Sequence, residues 1–196
     1  MKSYKRNYLY LFGSATIVLI ALNIIIFILQ WVLNNYNFTE NFMLVSNDIW
    51  SRPWILLTSM FLHDTSSVYH ILFNMYVLFI FGTLIEPRMK TKRFLFVYFL
   101  AGILASLLFA LLYPSSNALG ASAAIMGIVG VTIMLLPNLP VLFLFFIPMS
   151  LRTFGIIVIL IDLLGVFGIG IPGIANFAHL VGVAVGVAYG YYLLRS

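Results

Sequence analysis

Leu119–Gly127 reads LGASAAIMG. A lone hydroxyl, Ser122, stands between a glycine and a run of small residues, at the expected first turn of a hydrophobic helix. The stretch lies inside a charge-free run of 58 residues, Phe94 to Leu151. One bilayer crossing takes about 20 residues, so this run holds more than one. Pro114-Ser115-Ser116-Asn117 and Pro137-Asn138-Leu139-Pro140 punctuate it. The punctuation predicts a third span over about 94–113 and a fourth over about 119–136.

Working outward, Val141 to Met149 is apolar but short and reads as a re-entrant or interfacial piece. A fifth span over about 151–167 follows, then a glycine-rich turn, Gly168 to Gly173, and a sixth span over about 174–194. Upstream, Lys2, Lys5 and Arg6 precede a first span over about 14–33, which is too long for a cleaved signal segment and lacks a small-x-small site. Asn34 to Asp64 is the longest polar-leaning stretch, and its Trp50 and Trp54 suit a membrane interface. A second span over about 65–85 ends at EPRMKTKR, Glu86 to Arg93.

Composition agrees. Of 196 residues, 63% are hydrophobic and 8% charged, with mean hydropathy +1.12. Soluble domains are about a quarter charged. The expected fold is therefore an all-α membrane protein, a bundle of six transmembrane helices in a single membrane domain over 1–196. Residues 1–49 hold the first span and the start of the first external loop, and 50–194 hold a core of spans two to six. The net charge of +5 reflects basic residues at loop ends and does not point to nucleic acid. With the N-terminus in the cytoplasm, nine of the ten Lys and Arg residues fall inside and only Arg52 outside. Both termini are then cytoplasmic. The expected setting is the plasma membrane of a prokaryote. Cysteine is absent, which excludes disulfides, thiolate metal sites and a cysteine nucleophile.

In this topology the second, fourth and sixth spans run the same way. His70, Ser122 and His179 each enter within the first turns, roughly 5–8 Å below the outer helix ends. Gly182, Gly186 and Gly190 line one face of the sixth span, and Ala123, Gly127 and Gly130 belong to the fourth. Small residues let helix backbones approach in lipid, which predicts that Ser122 and His179 meet. A serine hydroxyl needs a base to take its proton, and a neutral imidazole in apolar surroundings serves. No acid is evident at this depth, so the expectation is a Ser–His dyad. Asp162, the one acid within a predicted span, lies about five residues from the outer end of the fifth span with no motif around it, so a triad role ranks below pairing with a fourth-span or loop group, or facing a wet cavity. His70 and Asn74 share a face of the second span and suit an oxyanion hole, aided by the Ser122 backbone N–H. His63 reads as an interfacial residue that stabilises the loop.

These residues resemble the rhomboid intramembrane serine protease family. Gly120-Ala121-Ser122-Ala123 is similar to its Gly-x-Ser-Gly motif. Ala178, His179 and Gly182 match its Ala-His-x-x-Gly motif, and His70 with Asn74 match His-x-x-x-Asn. Leu56 to His63 also resembles the family segment before that helix. The resemblance covers about residues 50–194. It implies Ser122 as nucleophile and His179 as base, with oxyanion support from His70, Asn74 and Gly120, and packing by Ala123, Gly127, Gly182 and Gly186. It also implies transmembrane protein substrates within the lipid bilayer, cut near their outer ends, and no metal or cofactor. Three positions depart from the pattern. Ala123 replaces a glycine, Ile55 replaces the arginine of a Trp-Arg pair, and Met126 stands where an aromatic often stacks on the histidine.

Two other functions fit parts of the sequence. A rhomboid-like protein that binds membrane helices without cutting them is one. A proton-conducting transporter is the other. His-Glu-x-x-His is absent, and an aspartyl enzyme needs two intramembrane acids.

Overall fold

A computed structural model describes residues 14–143, 146–169 and 175–195. Lys2, Lys5 and Arg6, and the glycine-rich turn from residue 170 onward, lie outside the described residues. The chain is mostly helical. Its long helices are α1 (Ala15–Val32), α2 (Val68–Met89), α3 (Thr91–Leu112), α4 (Ser122–Leu135), α5 (Leu151–Val166) and α6 (Asn176–Arg195). Among the described residues, α1, α2, α3 and α6 are long and apolar enough to cross a membrane. The exterior of α1 is apolar, with Val18, Leu22, Ile25, Ile28 and Trp31 all exposed. Such a face is stable against lipid and not against water. The chain is an integral, multi-pass membrane protein.

The expectation ended the second span at its first charge and began the third at Phe94. The structure runs both helices through that segment and breaks only at Lys90, where φ is +70°. Glu86 makes this possible, because it is buried and fully engaged. Its carboxylate accepts from the backbone N–H groups of Ala15 (2.8 Å) and Thr16 (3.0 Å), the Thr16 hydroxyl (2.7 Å) and the Thr91 hydroxyl (2.8 Å). The first N–H groups of a helix have no partner within it, and an anion there is favoured by the helix dipole. One side chain thus fastens the start of α1 to the junction of α2 and α3.

The long loop after α1 folds onto the bundle in short helical turns and one strand. That strand, β1 (Leu44–Val45), pairs antiparallel with β2 (Asn117–Ala118). The Ser46 N–H donates to Ser116 O at 3.0 Å, and the Gly120 N–H donates to Ser59 O at 2.9 Å. The loop therefore holds the entrance to α4. Gln30 of α1 clamps it from below, accepting from the His63 N–H at 2.9 Å and donating to His63 O at 3.0 Å. Arg52 forms an ion pair with Asp48 and donates to Glu40 O at 3.2 Å, so its guanidinium is spent within the loop.

The segment expected as a re-entrant or interfacial piece is a β-hairpin. Strands β3 (Pro140–Phe143) and β4 (Ile147–Ser150) pair antiparallel, with Pro140 opposite Ser150. Proline at a strand's first position costs no ladder bond, and the segment is too short for a helical crossing. Ser150 then caps α5 by accepting from the Thr153 N–H at 3.2 Å.

The centre of the molecule is α4. Nearly every residue from Ala123 to Thr132 is buried. Its 14 residues reach about 21 Å, short of the roughly 30 Å hydrocarbon core. Its N-terminus starts inside the protein, beneath the loop.

Candidate active site

The face of α6 against α4 has no side chains to hold the helices apart. A Cβ at Gly182 would fall 2.1 Å from Ala123 O, and one at Gly186 would fall 2.0 Å from Gly127 O. A Cβ at Gly130 would meet Val183 O at 2.6 Å. These are backbone-to-backbone contacts, which in lipid take the place of a hydrophobic driving force. Gly127 acts on two sides. Its carbonyl meets Gly186, while its missing side chain faces α3, where a Cβ would lie 2.4 Å from that of Ala101.

The close packing delivers the first residue of α4 to the first turn of α6. Ser122 Oγ lies 2.8 Å from His179 Nε2, a hydrogen-bonding distance. The two are 57 residues apart in the chain.

His70, in the first turn of α2, comes to the same place. The Asp64 backbone N–H points to its Nδ1 at 3.3 Å. On the opposite edge, a Cβ at Gly120 would lie 3.1 Å from His70 Nε2 and 3.8 Å from Ser122 Oγ. Gly120 has φ +127°, which only glycine adopts without strain. Its bare Cα therefore lines the space between the imidazole and the hydroxyl. Asn74 is buried one turn further along α2, and its Nδ2 donates to His70 O at 3.0 Å. That bond ties the carboxamide to its own helix.

Asp162 is the main correction. Among the described residues its partner is on α6 and not on α4 or in a loop, and an acid is present beside the base. Its Oδ1 lies 3.1 Å from His179 Nδ1, and the residue is 4% exposed. The signal was in the spacing. Asp162 is four residues from the end of α5 and His179 three from the start of α6. Successive antiparallel helices put such positions at one depth. No motif surrounds Asp162, so the sequence alone does not single out His179 as its partner.

His63 is fully buried, and its ring meets that of His70 edge-on with centroids 5.1 Å apart. Burial, with His70 alongside, lowers its pKa from 6.5 to about 4. It is neutral at ordinary pH and is buried within the loop, whose backbone it helps to tie to Gln30.

Residues 50–196 match the family described as Rhomboid domain. The chain belongs to the rhomboid family. It is 34% identical over 182 residues to the rhomboid protease GluP of Bacillus subtilis, covering 87% of this chain and 33% of that protein. It is 31% identical over 156 residues to the RHOMBOID-like protein 6, mitochondrial, of Arabidopsis thaliana, covering 74% and 45%. It is 26% identical over 203 residues to the rhomboid protein 1, mitochondrial, of Saccharomyces cerevisiae, covering 100% and 56%. The chain thus spans between about a third and a little over half of the length of these rhomboid relatives.

Within this rhomboid, the departures from the motifs have clear surroundings. The Ala123 methyl is buried in a small apolar cluster with Ala105, Phe109 and Ala178. Met126 packs part-buried against the main core. Ile55 is fully buried, and Trp54 donates from its indole to Asn41 O at 3.4 Å.

Proposed function

We propose that this rhomboid is an intramembrane serine endopeptidase that hydrolyses peptide bonds of transmembrane protein substrates near the outer membrane face. The observation that carries the reading is the 2.8 Å approach of Ser122 Oγ to His179 Nε2 within a helical membrane protein. As a substrate carbonyl arrives, Oγ attacks its carbon and His179 Nε2 takes the hydroxyl proton. The same proton then goes to the departing amine. Water, activated in turn by His179, releases the acyl group from Ser122.

The tetrahedral oxygen needs donors aimed at it. His70 accepts a backbone N–H at Nδ1, so a neutral ring carries its proton on Nε2. That edge faces Gly120 and Ser122. The Ser122 N–H, at the start of α4, adds a backbone donor. Asn74 supports this arrangement through the backbone of His70, and its second amide hydrogen is its remaining means of contributing. Gly120 keeps the space open.

The proposed topology is a single membrane domain with six crossings, both termini cytoplasmic and the site near the outer surface. The charge distribution along the sequence supports it. As to the membrane, the relatives include one bacterial protein and two named as mitochondrial. They lend no weight to a prokaryotic plasma membrane over a mitochondrial one.

Phosphonate labelling tests the reading against a rhomboid-like protein that binds helices without cutting. An alkyl phosphonate should modify Ser122 of the purified protein, located by mass spectrometry, and His179→Ala should abolish labelling. A wild-type protein that resists the reagent, or a label elsewhere, rejects the endopeptidase.

A further inference from the structure

We infer that Asp162 is a positioning residue for His179, so that the site works as a triad of serine, histidine and aspartate. The inference rests on the endopeptidase reading and deepens it. Two acids lie within the long helices that the structure describes, Glu86 and Asp162. Glu86 is fully engaged by four donors, three at the start of α1 and one at the start of α3. Asp162 has a different partner, the Nδ1 of the imidazole whose Nε2 faces Ser122.

A carboxylate buried among apolar helices is costly unless it is paired, and such residues are rarely placed without use. Of the sixteen residues of α5, only Leu151, Gly155 and Asp162 are buried. An apolar side chain at 162 would suit that helix better if packing were the sole demand.

The geometry sets the tautomer. A carboxylate only accepts, so the Nδ1 beside it carries the hydrogen. Nε2 is then left with its lone pair toward Ser122 Oγ, the arrangement a general base needs. With both nitrogens engaged, the ring is fixed in orientation. When Ser122 gives up its proton, the cationic imidazole that forms has an anion 3.1 Å away. Aspartate in this role acts through the histidine and touches no substrate atom.

The test uses the full chain in proteoliposomes with a single-span model substrate. Asp162→Asn and Asp162→Leu should each lower kcat about 10²- to 10⁴-fold, with KM changed less than about threefold and the thermal midpoint preserved. Asp162→Glu, which keeps the carboxylate, should recover part of the lost kcat. In ¹⁵N spectra of labelled histidine, wild-type His179 should carry its proton on Nδ1, and Asp162→Leu should shift the ring toward the Nε2–H tautomer. Wild-type kcat in Asp162→Leu, or a wild-type His179 protonated at Nε2, overturns the inference. If neither wild type nor Ser122→Ala cleaves, the endopeptidase reading has failed, and the wild-type ¹⁵N spectrum still decides the place of Asp162.

Discussion

Gly186 rests on the carbonyl oxygen of Gly127, so closely that a Cβ on Gly186 would fall 2.0 Å from that oxygen. Backbone meets backbone there, and a methyl has no flexible neighbour to displace. Gly186→Ala should push α6 off α4 and cost about 1–3 kcal/mol, the usual range for overpacking. Because the same contact face carries Ser122 and His179 together, cleavage should fall with stability. Gly168→Ala is the comparison, since no described residue lies within 4 Å of a Cβ there, although φ is +80°. Its effect should be local strain with cleavage retained. Unfolding midpoints and cleavage rates of the two variants check this.

Glu86 fastens α1 to the turn between α2 and α3. Glu86→Ala leaves the first N–H groups of α1 and two hydroxyls without their acceptor. Hydrogen bonds to a charged group are worth about 1.5–3 kcal/mol each, partly replaced by water after mutation. A net loss of about 2–5 kcal/mol is expected, with Glu86→Gln intermediate because it retains one acceptor oxygen. Denaturant unfolding in detergent measures it. A loss under about 0.5 kcal/mol would mean that α1 is held by packing alone.

His63 makes stability depend on pH. Its pKa is about 4 in the folded protein, against 6.5 ordinarily. Between those values the unfolded chain binds the proton and the folded one does not, so stability rises with pH. The contribution is full above about 6.5 and lost as pH falls through about 4, amounting to roughly 3 kcal/mol. His70 and Asp64 are the titratable neighbours. Asp64 works in the same direction, because the Ser66 hydroxyl and N–H hold its carboxyl below the usual range. Comparing wild type with His63→Phe isolates the histidine. The variant should show a flatter profile from pH 7 to pH 4.

The sequence revealed more about placement than about pairing. Charge-free runs broken by Pro-Ser-Ser-Asn and Pro-Asn-Leu-Pro located the helices, because lipid tolerates few other compositions. The helical glycine repeat named the α6 face that meets α4. Hydropathy misled at Glu86, where a buried carboxylate capped another helix and so looked like a loop charge. It also gave no hint that Pro140–Ser150 forms a hairpin, since a short apolar run has no period to read. The partner of Asp162 is hidden for another reason. That partner is chosen by how α5 leans on α6, and a single acid in an apolar helix carries no record of that angle. The burial of His63 was not legible either, because it depends on one residue of α1, Gln30, that draws its backbone inward.

The Ser122–His179 contact either performs hydrolysis or it does not. The most direct measurement is the cleavage rate of a purified single-span substrate by wild type and by Ser122→Ala in the same proteoliposomes. Wild type should cleave measurably, and the variant should lose at least about 10⁴-fold in rate. Equal cleavage by both, or none by a folded wild type, would contradict the endopeptidase reading.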